Sequence, residues 1–128
     1  MAEMSNYLEN ALINVTLRAT SYTAPTTVYV GLYTTDPTDA NTGTECSGGA
    51  YARKSATFAA PSNGVSTTSA DITFDQASSS WGTIAYIGIL DALTSGNLLY
   101  HTALDTSKAI DTGDIFKIAS GSLTVTLA

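Results

Sequence analysis

The chain of 128 residues carries 5 basic and 11 acidic side chains, a net charge of −6, which argues against nucleic acids and anionic membrane surfaces as partners because both are bound through clustered Lys and Arg. Its length suits a single domain over residues 1–128, and its high content of β-branched Thr favours β-structure. One cysteine, Cys46, excludes an internal disulfide, and the lack of a signal peptide or a membrane-length apolar run predicts synthesis and folding in a cytoplasm.

The first predicted element is a helix over residues 5–19, inside an N-terminal helical segment of residues 1–22. Ser5 is its expected N-cap. Apolar residues recur along it at intervals of three and four, and form one stripe of Met4, Leu8, Ala11, Leu12, Val15 and Ala19. Ile13 and Leu17 lie nearly opposite this stripe. This second apolar patch is either covered within the subunit or faces another subunit.

From residue 23 onward the apolar period changes from helical to two, and residues 23–128 are interpreted as a β-sandwich-like module. In the first predicted strand, residues 27–34, the aliphatic side chains share one face. The opposite face carries Tyr29 and Tyr33, which either fill a core or contact another subunit. Further strands are predicted at residues 51–58, 71–74, 83–90, 98–101, 114–119 and 122–127.

Two features of the later strands predict how they connect. The strand at 83–90 is apolar on both faces, so we expect it at the centre of a sheet and in a hairpin with the strand at 98–101. The last two predicted strands are joined by Ser120 and Gly121, a two-residue turn that predicts a second hairpin. The predicted fold is mainly β, a single β-sandwich-like domain with one N-terminal α-helix.

Residues with chemical potential are sparse. His101, the only histidine, lies in a predicted strand, where a ring satisfied by a neighbour is expected rather than a catalytic triad. Cys46 follows Glu45, whose charge opposes formation of a reactive thiolate. Oxygen donors are concentrated in the loop of residues 36–45 and faintly resemble a calcium loop, although turn chemistry explains the same residues. We therefore predict no catalytic residue, no cofactor and no metal. The oxygen donors of the loop at 36–45 are Asp36, Asp39, Asn41 and Glu45.

Six short strings, in this order and spacing, resemble a family of short bacteriophage virion structural proteins. They are YLENAL at 7–12, TTVYVGLY at 26–33, DPTD at 36–39, GGAYAR at 48–53, SWGT at 80–83 and GNLLY at 96–100. Members are often labelled tail fibre proteins, and the resemblance also suggests relatives that act as capsid cement or decoration proteins. It covers nearly the whole chain and departs at Cys46, where an aliphatic residue is expected. The family carries no catalytic motif, so the resemblance implies no active-site residue.

The resemblance implies a structural role in the virion, and the lack of heptads or repeats favours capsid decoration over a fibre shaft. The expected partners are the phage major capsid protein and further copies of the chain, with a trimer favoured; tail proteins are the alternative. The expected location is the capsid surface, after synthesis in the host bacterial cytoplasm. The candidate interface residues are Ile13, Leu17, Tyr29 and Tyr33.

Two rival functions make different structural predictions. A wall-degrading hydrolase predicts clustered acids in a cleft, or His101 beside a nucleophile. A carbohydrate-binding module predicts that Trp81 and exposed tyrosines form a coplanar surface for sugar rings. Because aromatic residues also fill cores, core filling is the expectation for Trp81 itself.

Overall fold

The computed structural model describes residues 2–127. In that range the chain forms one helix and nine strands, and the paired strands are antiparallel, which confirms a mainly β fold with one N-terminal helix. The elements in chain order are β1 (Glu3–Met4), α1 (Asn6–Leu17), β2 (Val28–Tyr33), β3 (Lys54–Ala56), β4 (Val65–Thr67), β5 (Ile72–Thr73), β6 (Gly82–Leu90), β7 (Leu98–Ile110), β8 (Lys117–Ile118) and β9 (Thr124–Thr126).

The main sheet has five strands in the order β1-β7-β6-β2-β3. Strand β6 is in the middle, with β2 on one side and β7 on the other. This confirms the prediction of a central strand from its apolar residues on both faces, and β6 and β7 form the predicted hairpin. The pairing of β6 with β7 shifts register between Ile84 and Tyr86 of β6. As a result, residues 104–107 of β7 stand opposite Ala85 alone. Pairing resumes after this irregularity and continues to Ile110, so β7 is much longer than the predicted residues 98–101.

Two short ribbons, β4–β9 and β5–β8, form the other layer. Their apolar side chains share one buried cluster with the aliphatic face of β2 and β6, so the core lies between sheet and ribbons. Members of this cluster include Val30, Leu32, Ile87, Ile72, Phe74, Phe116, Ile118, Leu123 and Val125.

The predicted hairpin between the last two strands is wrong. The turn does form, with Gly121 at a positive φ of 80°, but β8 pairs with β5 and β9 pairs with β4. Thr68, in the segment between β4 and β5, separates them: its carbonyl accepts from the Gly121 amide at 2.8 Å and its amide donates to the Leu123 carbonyl at 3.0 Å. Backbone groups that would have joined β8 to β9 are thereby used by a third segment.

Helix α1 is attached to the sheet at its N-terminal end. The Ser5 side chain caps it by accepting from the Leu8 amide at 3.2 Å, as predicted. The Ser5 amide donates to the Leu99 carbonyl of β7, and the Asn6 amide donates to the Asp39 carbonyl, each at 2.9 Å. Leu8 is the one helical residue that is buried. The predicted core-facing stripe therefore holds only for its first half, because Val15 and Ala19 at its far end are exposed.

Candidate assembly surface

The C-terminal half of α1 exposes aliphatic side chains. Ile13 is 53% exposed and Leu17 is 80% exposed. They lie one turn apart on one side of the helix and define what we call the α1 patch. The sequence left open whether this patch is covered within the subunit or faces another subunit. Within the subunit, the described residues do not cover it. Val15, on the opposite side of the helix, is also 40% exposed, so this end of the helix stands away from the sheet.

Local bonds keep this half of the helix formed without support from the sheet. The Thr16 hydroxyl donates to the Leu12 carbonyl at 2.6 Å, and the Arg18 guanidinium donates to the Asn14 side chain at 3.1 Å. The backbone amides of Arg18 and Thr20 both donate to the Asn14 carbonyl, which satisfies one of the carbonyls that a helix end leaves free. The α1 patch is thus presented on an ordered element.

The two candidate tyrosines of β2 have different environments. Tyr29 is half-buried. Tyr33 is only 2% exposed, packs with Leu90 and Leu98, and donates from its hydroxyl to the Asn41 side chain at 3.2 Å. Burial, followed by the charge of Glu45, raises the pKa of Tyr33 to about 12. Tyr33 is a core residue, so the interface hypothesis keeps Ile13, Leu17 and Tyr29.

A partly buried ionic network beside β2 was not anticipated from the sequence. The Arg53 guanidinium donates to both carboxylate oxygens of Glu45, at 2.8 and 2.7 Å. The Tyr51 hydroxyl donates to Glu45 at 2.6 Å and accepts from the Leu32 amide at 3.0 Å. Tyr51 and Arg53 belong to the GGAYAR string, and Glu45 lies three residues before it. The tyrosine and arginine of this string were the residues from which the network could have been predicted.

Trp81 and Cys46 are both buried. Trp81 donates from its indole nitrogen to the Gly49 carbonyl at 2.9 Å and packs edge-on against Tyr51 and Phe74. Core filling is therefore confirmed for Trp81, and its ring is not available to stack on a sugar. Burial, with the neighbouring Glu45 as the smaller cause, raises the pKa of the Cys46 thiol to about 11, as the adjacent acid predicts.

The predicted acidic loop does not bring its four oxygen donors together: Asp36 and Asp39 lie beside His101, whereas Asn41 and Glu45 face other partners. Asp36 accepts from the Thr38 amide in a local turn, and Asn41 accepts from Tyr33. Glu45 turns inward to Arg53. These contacts support turn chemistry rather than a calcium loop.

His101 lies in β7 with its ring buried. Its Nε2 is 2.8 Å from Asp39 Oδ1 and its Nδ1 is 3.8 Å from Asp36 Oδ1. A strand histidine satisfied by a neighbour is thus confirmed. Glu3 of β1 is directly opposite His101 in the ladder, and one donor atom from each of Glu3, Asp39 and His101 lies within 4.8 Å of the others.

Among the residues that the structure describes, no helix combines the length and hydropathy of a membrane span.

Comparison with known proteins agrees with the resemblance seen in the sequence strings. A family model described as Podophage GP4 fiber I protein gp80 matches residues 3–126, which include α1 and all nine strands. No curated protein matches the chain. Because the family model spans nearly the whole chain, the protein belongs to the Podophage GP4 fiber I protein gp80 family and is a structural protein of the phage virion.

Proposed function

We propose that the protein is a non-enzymatic subunit of a fibre-type part of the virion, and that it assembles with further copies of itself through the α1 patch. The observation that carries the proposal is the exposure of Ile13 and Leu17 on an ordered helix. Contiguous exposed aliphatic surface is typical of sites that bind another protein, and these two side chains lie next to each other on one side of the helix. The fibre assignment follows the name of the matching family.

The charge distribution permits a second copy to occupy this surface. Each chain carries a net charge of −6, so copies repel one another wherever their acidic surfaces meet. Of the 12 residues of α1 only Glu9 is charged, and it lies in the first turn, away from the patch. The patch is therefore a place where two copies can approach with little repulsion.

The energy of such a contact would come from burying aliphatic surface. Full burial of one Ile or Leu side chain contributes about 1.5–3 kcal/mol, and half-buried Tyr29 is a further candidate contact. A stable interface needs roughly 1,000 Å² of total buried area, which is more than two side chains supply. We therefore expect neighbouring surface to take part, in a closed homo-oligomer. A trimer is the state that the resemblance to decoration proteins favours.

A non-enzymatic role is supported by the environments of the two most reactive residue types. The His101 ring is bonded to a carboxylate and lies in a strand, and the Cys46 thiol is buried with a raised pKa. Neither arrangement supplies an accessible nucleophile.

The test is the double change of Ile13 and Leu17 to Ser. The wild-type protein should sediment as an oligomer, and the I13S/L17S variant should shift to the mass of one chain. Both side chains are exposed, so the free energy of unfolding of the monomer should change by no more than about 1 kcal/mol. Sedimentation velocity and urea denaturation measure the two quantities.

Ile115→Ser is the matched control, because Ile115 is 57% exposed and lies outside α1. This variant should keep the wild-type mass. Equal masses for wild type and the I13S/L17S variant would show that the patch is not an assembly surface.

Capsid decoration is the second candidate, with the major capsid protein as partner. It is favoured by the packing of sheet and ribbons around one buried cluster, without repeats along the chain that would build a shaft. The two candidates differ in the number of copies that a virion needs.

A further inference from the structure

Three possible metal ligands from distant parts of the chain lie close together near the N-terminal end of α1, which we call its root. Glu3 is on β1, Asp39 is in the loop after β2, and His101 is on β7. Pairing of β1 with β7 sets Glu3 opposite His101. The Asp39 carbonyl accepts from the Asn6 amide, which brings the Asp39 carboxylate to the same place.

The distances between the three donors are close to those of a small-cation site. One donor atom from each of the three residues lies within 4.8 Å of the others, and the closest pair, His101 Nε2 and Asp39 Oδ1, is 2.8 Å apart. Two ligands bound to one zinc ion at about 2.0–2.2 Å stand roughly 3–3.5 Å apart. A small outward movement of the carboxylates would therefore open the ligand positions.

The three donors differ in solvent exposure, and the two carboxylates have room for such a movement. The His101 side chain is 7% exposed and held in its strand, whereas the Asp39 side chain is 48% exposed. Glu3 is exposed as well. The imidazole is thus a buried ligand, and the carboxylates are exposed ligands that an ion can reach from solvent.

A fourth residue provides an independent indication. Asp36 Oδ1 faces the other ring nitrogen of His101, at 3.8 Å from Nδ1. In metal sites the histidine nitrogen that does not bind the ion commonly faces a carboxylate, which holds the ring in place and raises its basicity. The ring thus has a carboxylate on each side: Asp39 is within hydrogen-bond distance of Nε2, and Asp36 is near Nδ1 at an ion-pair distance that is too long for a hydrogen bond.

We propose that Glu3, Asp39 and His101 bind a divalent first-row transition ion, with Asp36 as the residue that orients the imidazole. One imidazole with carboxylates favours ions such as Zn²⁺ over Mg²⁺ and Ca²⁺, which prefer oxygen alone. Water would complete the coordination. The proposal is independent of the assembly proposed above.

A bound ion would connect β1, the loop after β2, and β7. Because Ser5 and Asn6 of the helix start are held by β7 and by the same loop, the ion would fasten the root of α1. An ion that binds only the folded state raises the free energy of unfolding. The increase grows with the logarithm of the ratio of ion concentration to dissociation constant.

The experiment uses the full chain, stripped of metal with EDTA and then dialysed. Zn²⁺ is titrated by calorimetry, and thermal unfolding is followed with and without the ion. We expect one Zn²⁺ per chain, a higher unfolding temperature with Zn²⁺, and no comparable effect of Mg²⁺. Glu3→Gln and Asp39→Asn should each weaken Zn²⁺ binding by at least about tenfold, and Asp36→Asn should weaken it less than either.

Asp75→Asn is the control, since Asp75 is an exposed carboxylate that pairs with Lys54 elsewhere on the surface; it should bind Zn²⁺ as the wild type does. Glu3→Gln changes an exposed side chain, so its circular dichroism spectrum should match the wild type and its binding can be compared directly. A wild-type protein without saturable Zn²⁺ binding, or equal affinity in wild type and Glu3→Gln, overturns the proposal.

Discussion

The guanidinium of Arg53 joins three separate segments of the chain. It binds both oxygens of Glu45, and its Nη1 donates to the carbonyls of Ala92 and Ser95, each at 2.8 Å. The hydrogen bonds to Glu45 are the largest cause that raises the pKa of Arg53. Burial of the Tyr51 hydroxyl, reinforced by its bond to Glu45, raises the pKa of Tyr51 as well. Both carboxylate oxygens of Glu45 and the carbonyls of Ala92 and Ser95 thus depend on the planar shape of one side chain.

Arg53→Lys tests this dependence. A lysine keeps the charge but cannot bind both carboxylate oxygens and both carbonyls, so buried acceptors lose their partners. We expect a loss of about 2 kcal/mol in the free energy of unfolding, measured by urea denaturation. Lys54→Arg, at the neighbouring position, changes an exposed pair with Asp75 and should have an effect below about 1 kcal/mol. Equal effects of the two changes would contradict the importance of the guanidinium geometry.

Individual residues also show where sequence reasoning stops. A period of two placed Tyr33 opposite the aliphatic face of β2, but it could not reveal that both faces are covered. Likewise, nothing local links Glu3, Asp39 and His101, because their proximity depends on the pairing of β1 with β7 and on the course of the loop after β2.

At the scale of elements, the termination of α1 is less favourable than its start. The start has the predicted Ser5 cap, whereas the residue after the C-cap, Ala19, has a φ of 53°. This left-handed conformation costs a residue with a Cβ atom about 1–2 kcal/mol, and glycine adopts it without strain. The helix therefore ends at a strained residue beside the α1 patch.

Ala19→Gly should stabilise the protein by about 1 kcal/mol, because it removes that strain at a position where glycine is the preferred residue. Ala11→Gly is the control with the opposite sign: Ala11 lies inside the helix, and glycine there should destabilise by about 1 kcal/mol. Urea denaturation of both variants measures the two changes. A loss of stability in Ala19→Gly would show that the left-handed residue is not strained.

Other elements differ in how well their residues predict them. The two-faced apolar run of β6 and the period of β2 are long enough to define strands by themselves. Strands β1, β4 and β5 have only two or three residues. They pair with β7, β9 and β8, which lie far along the chain, so no local pattern predicts their pairing. The mainly β class was thus predictable, while the pairing of the ribbons was not.

At the scale of the whole molecule, composition and strings indicated a virion structural protein, and the family match over residues 3–126 confirms that role. The place within the particle follows from neither the residues nor the fold. A module of this shape suits a few copies in a fibre or many copies over a capsid.

Copy number in purified virions separates these two. Quantitative mass spectrometry against the major capsid protein should give a small fraction of the capsid count for a fibre-type subunit. A ratio near one copy per capsid protein would instead establish a lattice-covering decoration protein and would contradict the fibre assignment. The capsid protein itself serves as the internal standard.

The attachment of α1 at one end makes it a lever. Its 12 residues span about 18 Å at 1.5 Å per residue, so a change of roughly 10° in tilt at the root displaces the far end by about 3 Å. Ile13 and Leu17 lie on the moving half, while Ser5 and Leu8 stay with the sheet. One amino-acid sequence could in this way fit neighbours that are not related by perfect symmetry, with the sheet and its core unchanged. The geometry of the joint, rather than the chemistry of the patch, would then limit which arrangements of copies can form.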